Sequence, residues 1–251
     1  METAIEIQNM TKNFGAKEAV KGINLTVPKG SFFGFLGPNG AGKTTTIRMI
    51  TGLLAPTRGD AVLAGHSIVS SSLAAKQNIG VVPDDLALFD RLSMWEHLTM
   101  VGSIYGLSRD DTETRAEDLL NVLGLWEDRG TFAADSSHGM RKKLALAMAL
   151  IHNPAILFLD EPFEGIDPLA GKVLRRLLQR MSAKGTTIFL TSHILEIIEK
   201  LVDHVAIIVA GEIALDARLA DLTQGGRTLE DAFVDVAGDE AGDEEMDLAW
   251  L

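Results

Sequence analysis

Nine consecutive residues read Gly37-Pro38-Asn39-Gly40-Ala41-Gly42-Lys43-Thr44-Thr45. They match G-x-x-x-x-G-K-T, a glycine-rich loop whose backbone N–H groups surround the phosphates of a nucleotide. Side chains at the glycine positions would obstruct that approach. Lys43 adds a positive charge beside the β and γ phosphates, and the Thr44 hydroxyl can ligate Mg2+. The loop predicts nucleotide binding, but it does not distinguish kinases, GTPases, transporter ATPases and DNA motors.

The residues around this loop predict a strand before it and a helix after it. Phe32–Leu36 is a continuous apolar run, which is typical of a strand buried on both faces. The N-terminal end of the helix would direct its partial positive charge at the bound anion. We expect the apolar face of that helix to consist of Ile47, Ile50, Leu53 and Leu54.

Composition narrows the class of protein. The chain has 251 residues, 46% of them hydrophobic and 23% charged, which is enough for one compact domain with a subdomain. It has no cysteine, which excludes disulfides and cysteine chemistry. No apolar run approaches the roughly 18 residues of a membrane-spanning helix, and no signal peptide precedes the first strand-like segment. We therefore expect a cytoplasmic protein that reaches a membrane only through another chain.

The net charge of −12 is concentrated at the C-terminal end. Residues 228–251 contain nine acids and no bases, whereas the rest of the chain has 26 acids and 23 bases. Neither part offers the basic surface that nucleic acid or anionic lipid requires. We therefore expect no nucleic-acid partner, and an acidic, flexible tail at residues 237–251.

The order of the apolar segments predicts an α/β fold with a mostly parallel sheet. Between Leu92 and Asn153 strand signals vanish and helical spacing replaces them, which predicts an inserted helical subdomain at about residues 92–153. A later helix is indicated by apolar residues at helical spacing, namely Leu169, Val173, Leu177 and Met181. Further buried strands are expected at residues 79–82, 155–159, 187–190 and 205–209.

Two adjacent carboxylates follow one of these predicted strands. Asp160 is a candidate Mg2+ ligand, and Glu161 is a candidate general base that would polarise an attacking water. An acidic pair after a strand is usually a solvated turn. After a phosphate loop it indicates a catalytic site, because ligands of an open α/β sheet collect at the carboxyl ends of its strands.

A histidine follows the predicted strand at residues 187–190. His193 is a candidate for bonding the γ phosphate or the attacking water, and so for sensing intact ATP. The alternative is that Ser192 caps the next helix and His193 is an incidental first-turn residue.

Over residues 3–236 the order and spacing of these motifs resemble the ATP-binding subunits of ABC transporters. The resemblance identifies residues 37–45 as the Walker A loop, Asp160 and Glu161 as the Walker B pair, and His193 as the switch histidine. It implies a P-loop NTPase core with a mostly parallel sheet, an N-terminal antiparallel β subdomain and the inserted helical subdomain. These would form one ABC-type domain at residues 1–236 that binds ATP and Mg2+ and hydrolyses ATP.

The resemblance also gives roles to residues outside the Walker motifs. Asp167 lies in the family's D-loop position, where it would couple two nucleotide sites. Phe14 stands where the family places an aromatic ring that stacks on adenine, although burial in the first sheet is an equal alternative. Asp84 replaces the Q-loop glutamine, for which the exporter branch often has Glu, and it can accept a hydrogen bond from a Mg2+-bound water.

The family's Leu-Ser-Gly-Gly-Gln signature departs from its usual form here. Residues 136–140 read Ser-Ser-His-Gly-Met, so only Ser137 and Gly139 match, and the sequence looks like an exporter-type branch. In the family this helix N-terminus closes on the γ phosphate of a facing subunit. The resemblance therefore implies a dimer with a second ATP-binding subunit, identical or different.

Integral membrane subunits, as separate chains, are the other implied partners, and they would hold this chain at the inner face of the cell membrane. The apolar segment at residues 85–97 would line the groove that receives a membrane subunit, unless burial in the helical subdomain explains it. Two alternatives stay open: a soluble ABC-type ATPase not engaged in transport, and a regulatory subunit that binds nucleotide without hydrolysing it.

Overall fold

The computed structural model describes residues 2–238, and its elements follow the predicted α/β order. The strands are β1 (Thr3–Phe14), β2 (Lys17–Pro28), β3 (Phe32–Leu36), β4 (Arg58–Leu63), β5 (His66–Ser67), β6 (Ile79–Val82), β7 (Ile156–Asp160), β8 (Thr187–Thr191), β9 (His204–Val209) and β10 (Glu212–Arg218). The α-helices are α1 (Lys43–Ile50), α2 (Ser72–Gln77), α3 (Met94–Ile104), α4 (Arg109–Val122), α5 (His138–Leu150), α6 (Pro168–Ala183), α7 (Leu195–Glu199), α8 (Leu219–Leu222) and α9 (Leu229–Ala237).

Within the described residues the strands form two sheets. One has the order β2-β1-β4-β5 and is antiparallel throughout. The other has the order β10-β9-β3-β8-β7-β6, and its neighbours pair in parallel except for β10 with β9. These sheets confirm the predicted N-terminal antiparallel subdomain and the mostly parallel core.

The parallel sheet separates two hydrophobic cores, and this explains its continuous apolar strands. In β3, Phe32 and Leu36 pack into the core shared with the helical subdomain, whereas Phe33 and Phe35 pack into the core under the antiparallel sheet. Alternate residues of a strand point to opposite faces, so a strand covered on both sides needs apolar residues at every position. Each buried phenylalanine contributes about 1.5–3 kcal/mol.

Helices α3, α4 and α5 lie between β6 and β7 and pack on one another, which confirms the inserted helical subdomain. A serine precedes each helix and accepts a hydrogen bond from its first turn: Ser93 from Glu96 N, Ser108 from Asp111 N, and Ser137 from Met140 N. Such caps satisfy backbone donors that have no partner within the helix. No helix within residues 2–238 is both long and apolar enough to span a membrane.

One sequence-based detail was wrong, and the predicted helix at residues 169–181 is present but buries residues other than the four that indicated it. Helix α1 ends at Ile50, because Gly52 adopts a left-handed conformation, so Leu53 lies beyond the helix and is 63% exposed. In α6 the buried residues are Ala170, Leu174 and Leu178, whereas Leu169 is 73% exposed. The domain boundary near residue 236 stays a prediction, and residues 239–251 of the expected tail lie outside the described residues.

Candidate active site

A cavity of about 640 Å³ lies at the carboxyl ends of β3, β7 and β8, where an open α/β sheet collects its ligands. It gathers most of the residues predicted from the sequence. Lys17, Ala19 and Glu164 also line it, and sequence reasoning did not identify them. The predicted residues that line the cavity are Phe14, Asn39, Gly40, Gly42, Lys43, Thr44, Thr45, Asp84, Asp160, Glu161 and His193.

The phosphate loop needs glycine partly because of protein packing. A Cβ atom on Gly37 would lie 2.2 Å from the carbonyl oxygen of Ile208, and one on Gly42 would lie 2.8 Å from that of Ala19. A Cβ atom on Gly40 would have no neighbour within 4 Å, but the φ of +80° at this residue disfavours other residue types. Gly42 precedes α1, so the helix begins at Lys43 with its N-terminus facing the cavity.

Lys43 is held over this loop. Its Nζ donates to the carbonyl oxygens of Gly37 at 2.7 Å and Pro38 at 3.1 Å. Burial lowers the pKa of Lys43 below its ordinary value, and the carboxylates of Glu161 and Asp160 act in the opposite direction. The ammonium and the two carboxylates therefore share one electrostatic environment. Pro38 and Ala41 complete the predicted loop without lining the cavity.

Asp160 ends β7 and is buried. Its Oδ1 accepts a hydrogen bond of 2.5 Å from the hydroxyl of Thr191, the residue opposite it on β8. The same Thr191 hydroxyl accepts a bond of 3.2 Å from the N–H of Glu161. Thr191 thus orients both acidic residues. The sequence shows it only as the polar end of an apolar strand, a signal too weak to reveal this role.

Glu161 and His193 form a pair at the wall of the cavity. Glu161 Oε2 lies 3.0 Å from His193 Nδ1 and accepts a bond of 3.2 Å from the His193 backbone N–H. Glu161 has a left-handed φ of +49°, which costs a non-glycine residue about 1–2 kcal/mol. The Ser192 hydroxyl accepts a hydrogen bond from Ile194 N. Ser192 is nevertheless not the cap of α7, because the residue that precedes this helix is Ile194. His193 is therefore not incidental, because its side chain contacts the candidate base.

The oxygen donors at this site fit Mg2+. Thr44, Asp84 and Asp160 line the same cavity. No group of three or more His, Cys, Asp or Glu within residues 2–238 could hold a metal ion by itself. Mg2+ is commonly held by one or two carboxylates together with substrate phosphates, so this donor set suits an ion that binds with a nucleotide.

Phe14 is 50% exposed beside the cavity, with Lys12 Nζ 5.2 Å from its ring centroid. The alternative that Phe14 is buried in the first sheet is therefore wrong. The segment at residues 85–97 divides: Phe89 is exposed, whereas Met94 and His97 are buried. Part of this segment faces outward, and part belongs to the helical core.

Three predicted residues beyond the phosphate loop also do not line this cavity. Ser137 and Gly139 lie at the start of α5, and Asp167 precedes α6. Asp167 accepts hydrogen bonds from Ala170 N at 2.9 Å and Leu169 N at 3.0 Å, and the bond from Ala170 is the main cause of its lowered pKa. Within the described chain, then, the nucleotide cavity and the signature helix present separate surfaces.

Comparisons with known proteins agree with this geometry. A family model described as ABC transporter matches residues 20–164, and the chain therefore belongs to the ABC transporter family. It is an ATP-binding subunit with ATPase activity, and the soluble or regulatory alternative is not favoured.

Individual relatives support the same assignment. The chain is 37% identical to the linearmycin resistance ATP-binding protein LnrL of Bacillus subtilis, over 90% of this chain and 73% of the relative. It is also 37% identical to the bacitracin transport ATP-binding protein BcrA of Bacillus licheniformis, over 85% of this chain and 69% of that one. A solved structure of an ATP-binding subunit of an ABC transporter aligns with a TM-score of 0.88 at 30% identity, covering 93% of this chain and 99% of that one.

Proposed function

We propose that this subunit drives export through separate membrane subunits. It closes with a second ATP-binding subunit over bound ATP and hydrolyses the ATP with Glu161 as general base. The names of two relatives support export, since one refers to linearmycin resistance and the other to bacitracin transport. The cleavage of the γ phosphate then removes a charged bridge between the subunits, and the interface opens.

The observation that carries the proposal is the contact between Glu161 and His193 beside Lys43. Lys43 binds the phosphates, and His193 holds the Glu161 carboxylate through Nδ1 and its backbone N–H. The carboxylate takes a proton from water as the water oxygen attacks the γ phosphorus, and ADP leaves. Bound Mg2+ would neutralise phosphate charge, held by Thr44 and Asp160 and, through water, by Asp84.

The separate position of the signature helix supports a shared site. Ser137 and Gly139 present the N-terminus of the 13-residue helix α5, where backbone N–H groups and the helix dipole favour an anion. They do not line their own subunit's cavity. We infer that they reach the γ phosphate held by the facing subunit. Asp167, which precedes the neighbouring helix α6, would lie at the same interface.

An apolar groove supports docking on a membrane subunit. It has a volume of about 360 Å³ and lies between β6 and the helical subdomain, with Leu86, Leu88, Val101 and Met148 among its lining residues. An apolar groove that receives a protruding helix is a recurring mode of recognition. We infer that the membrane subunits hold this chain at the inner face of the cell membrane through this groove.

The test is Glu161→Gln, which keeps the size of the side chain and removes its basicity. Turnover of ATP should fall by about 10²–10⁴-fold, as expected for loss of a general base, while ATP affinity is retained. Glu196→Gln makes the same change at an exposed carboxylate in the first turn of α7 and should leave turnover unchanged. A Glu161→Gln variant with the turnover of the parent would show that another group is the base.

A further inference from the structure

Lys142 is an unusual residue of helix α5, because it is only 4% exposed. Its neighbours Arg141 and Lys143 are both more exposed. Its Nζ donates to two backbone carbonyl oxygens, those of Glu161 at 2.9 Å and Glu164 at 2.7 Å. Within residues 2–238 it forms no ion pair with a carboxylate. A buried ammonium is costly unless it is hydrogen-bonded, so these two carbonyls stabilise it in place.

The two carbonyls belong to the ends of one tight turn. Glu161 O also accepts a bond of 3.3 Å from Glu164 N, so Lys142 closes a turn that begins at the candidate base. Glu161 is in the left-handed region at that turn, a conformation that persists only when its surroundings enforce it. Without the ammonium, both carbonyl oxygens would lose a charge-assisted hydrogen bond.

Each part of Glu161 is therefore held by a different element. Its N–H donates to Thr191 on β8, its carbonyl accepts from Lys142 on α5, and its carboxylate contacts His193 after β8. Removal of the Lys142 hydrogen bond leaves the Glu161 carboxylate able to contact His193. It also frees the Glu161 peptide group, which fixes the position of the backbone from which that side chain extends. A general base that shifts by about 1 Å can lose on the order of 10²-fold in rate.

We propose that Lys142 is a positioning residue for the general base. It fixes the left-handed turn at Glu161 and ties that turn to the helix whose N-terminus carries Ser137 and Gly139. The inference rests on the proposed function, because it takes Glu161 to be the base. Since Lys142 lies four residues from the first residue of α5, a displacement of that N-terminus is transmitted to Glu161 through little more than one helical turn.

The test compares Lys142→Met with Lys142→Arg in the full chain. Methionine keeps the apolar stem and removes every donor, whereas arginine keeps a cationic donor. We expect Lys142→Met to lower kcat about tenfold or more while KM and ATP affinity stay within about twofold, and Lys142→Arg to recover most of the loss. Lys142→Gln, with an uncharged donor, is measured in parallel in case the methionine variant does not fold, and its kcat should also be below that of the parent.

Leu150→Ala is the control for a purely structural role. Leu150 is buried at the far end of the same helix, so its truncation lowers the melting temperature without touching Glu161. It should keep the kcat of its folded fraction. If Lys142→Met loses no more kcat than Leu150→Ala, or if Lys142→Gln keeps the kcat of the parent, the positioning role is refuted.

Glu161→Gln separates this inference from the proposed function. If Glu161→Gln keeps parent turnover, the assignment of the base is wrong and the inference falls with it. If Glu161→Gln abolishes turnover while Lys142→Met keeps parent kcat, only the inference is wrong. In the Glu161→Gln background the Lys142→Met change should cause no further loss of rate, because the two residues act as a unit, and an additive loss would overturn the inference.

Discussion

Gly37→Ala should disable the phosphate loop by a steric conflict inside the protein. The new methyl carbon would lie 2.2 Å from Ile208 O, whereas a close carbon–oxygen contact is about 3.3 Å. One of the two backbones must therefore move by about 1 Å. Ile208 is fully buried on β9, which is paired with both β10 and β3, so we expect the loop to move. The φ of Gly37 is not left-handed, so the effect is steric rather than conformational.

The magnitude follows from these distances. Overpacking of this kind costs about 1–3 kcal/mol in unfolding free energy. For a domain of this size that lowers the melting temperature by about 2–12 °C. A phosphate cradle displaced by about 1 Å should reduce ATP turnover on the order of 10²-fold. Thermal unfolding, ATP binding by calorimetry and steady-state turnover measure the three effects.

Gly171→Ala is the matched control. Gly171 lies within α6, and a Cβ atom there would have no neighbour within 4 Å. Alanine should raise the unfolding free energy by about 0.5–1 kcal/mol, because glycine is unfavourable inside a helix, and turnover should not change. If Gly37→Ala binds and hydrolyses ATP as the parent does, the packing account of this loop is refuted.

Two further predictions concern Phe14 and Asp167. Phe14→Ala should weaken ATP binding about two- to tenfold, as expected for one lost stacking contact. The melting temperature should change little, because Phe14 is half exposed. An unchanged affinity in calorimetry would argue against adenine stacking. Asp167→Ala should lower the melting temperature at neutral pH by removing the cap of α6. Hydrogen bonds from Ala170 and Leu169 lower the pKa of Asp167, so its stabilising effect is complete above the ordinary aspartate range and is lost as the pH falls through the lowered pKa. Melting curves of parent and variant should therefore converge in acid, and a constant difference would contradict this.

The phosphate loop and the parallel strands were predictable because their signals are local. The spacing of Gly37, Gly42 and Lys43 is needed for one loop conformation, and a strand buried on both faces has to be apolar along its whole length. The order of strands and helices then required an α/β fold. These features depend on neighbouring residues, so a single sequence contains them.

The face of α6 was not predictable in the same way. Leu169, Val173 and Leu177 repeat every four residues, and so do the buried Leu174 and Leu178 one position further along. Because α6 carries two adjacent apolar stripes, the spacing of its apolar residues does not determine which face of the helix is buried. The sheet selects one stripe, and Leu169 and Val173 of the other border a surface cavity.

Lys142 and Thr191 were missed because their roles are tertiary. Nothing in the sequence distinguishes Lys142 from Arg141 and Lys143, and its burial depends on a turn some twenty residues later. Thr191 matters because β7 and β8 bring it opposite Asp160. Sequence patterns identify the residues that contact the substrate more readily than the residues that hold them in position.

A second subunit should complete the ATP site. Sedimentation velocity of the Glu161→Gln variant tests this claim most directly, because that variant should bind ATP without cleaving it. We expect twice the monomer mass with ATP and the monomer mass with ADP. Adding Gly139→Glu should abolish the dimer while ATP still binds, since a Cβ atom there would lie 3.9 Å from Gly165 O, an ordinary contact, and the new charge repels phosphate. A Glu161→Gln variant that binds ATP and stays monomeric at every concentration would contradict the claim.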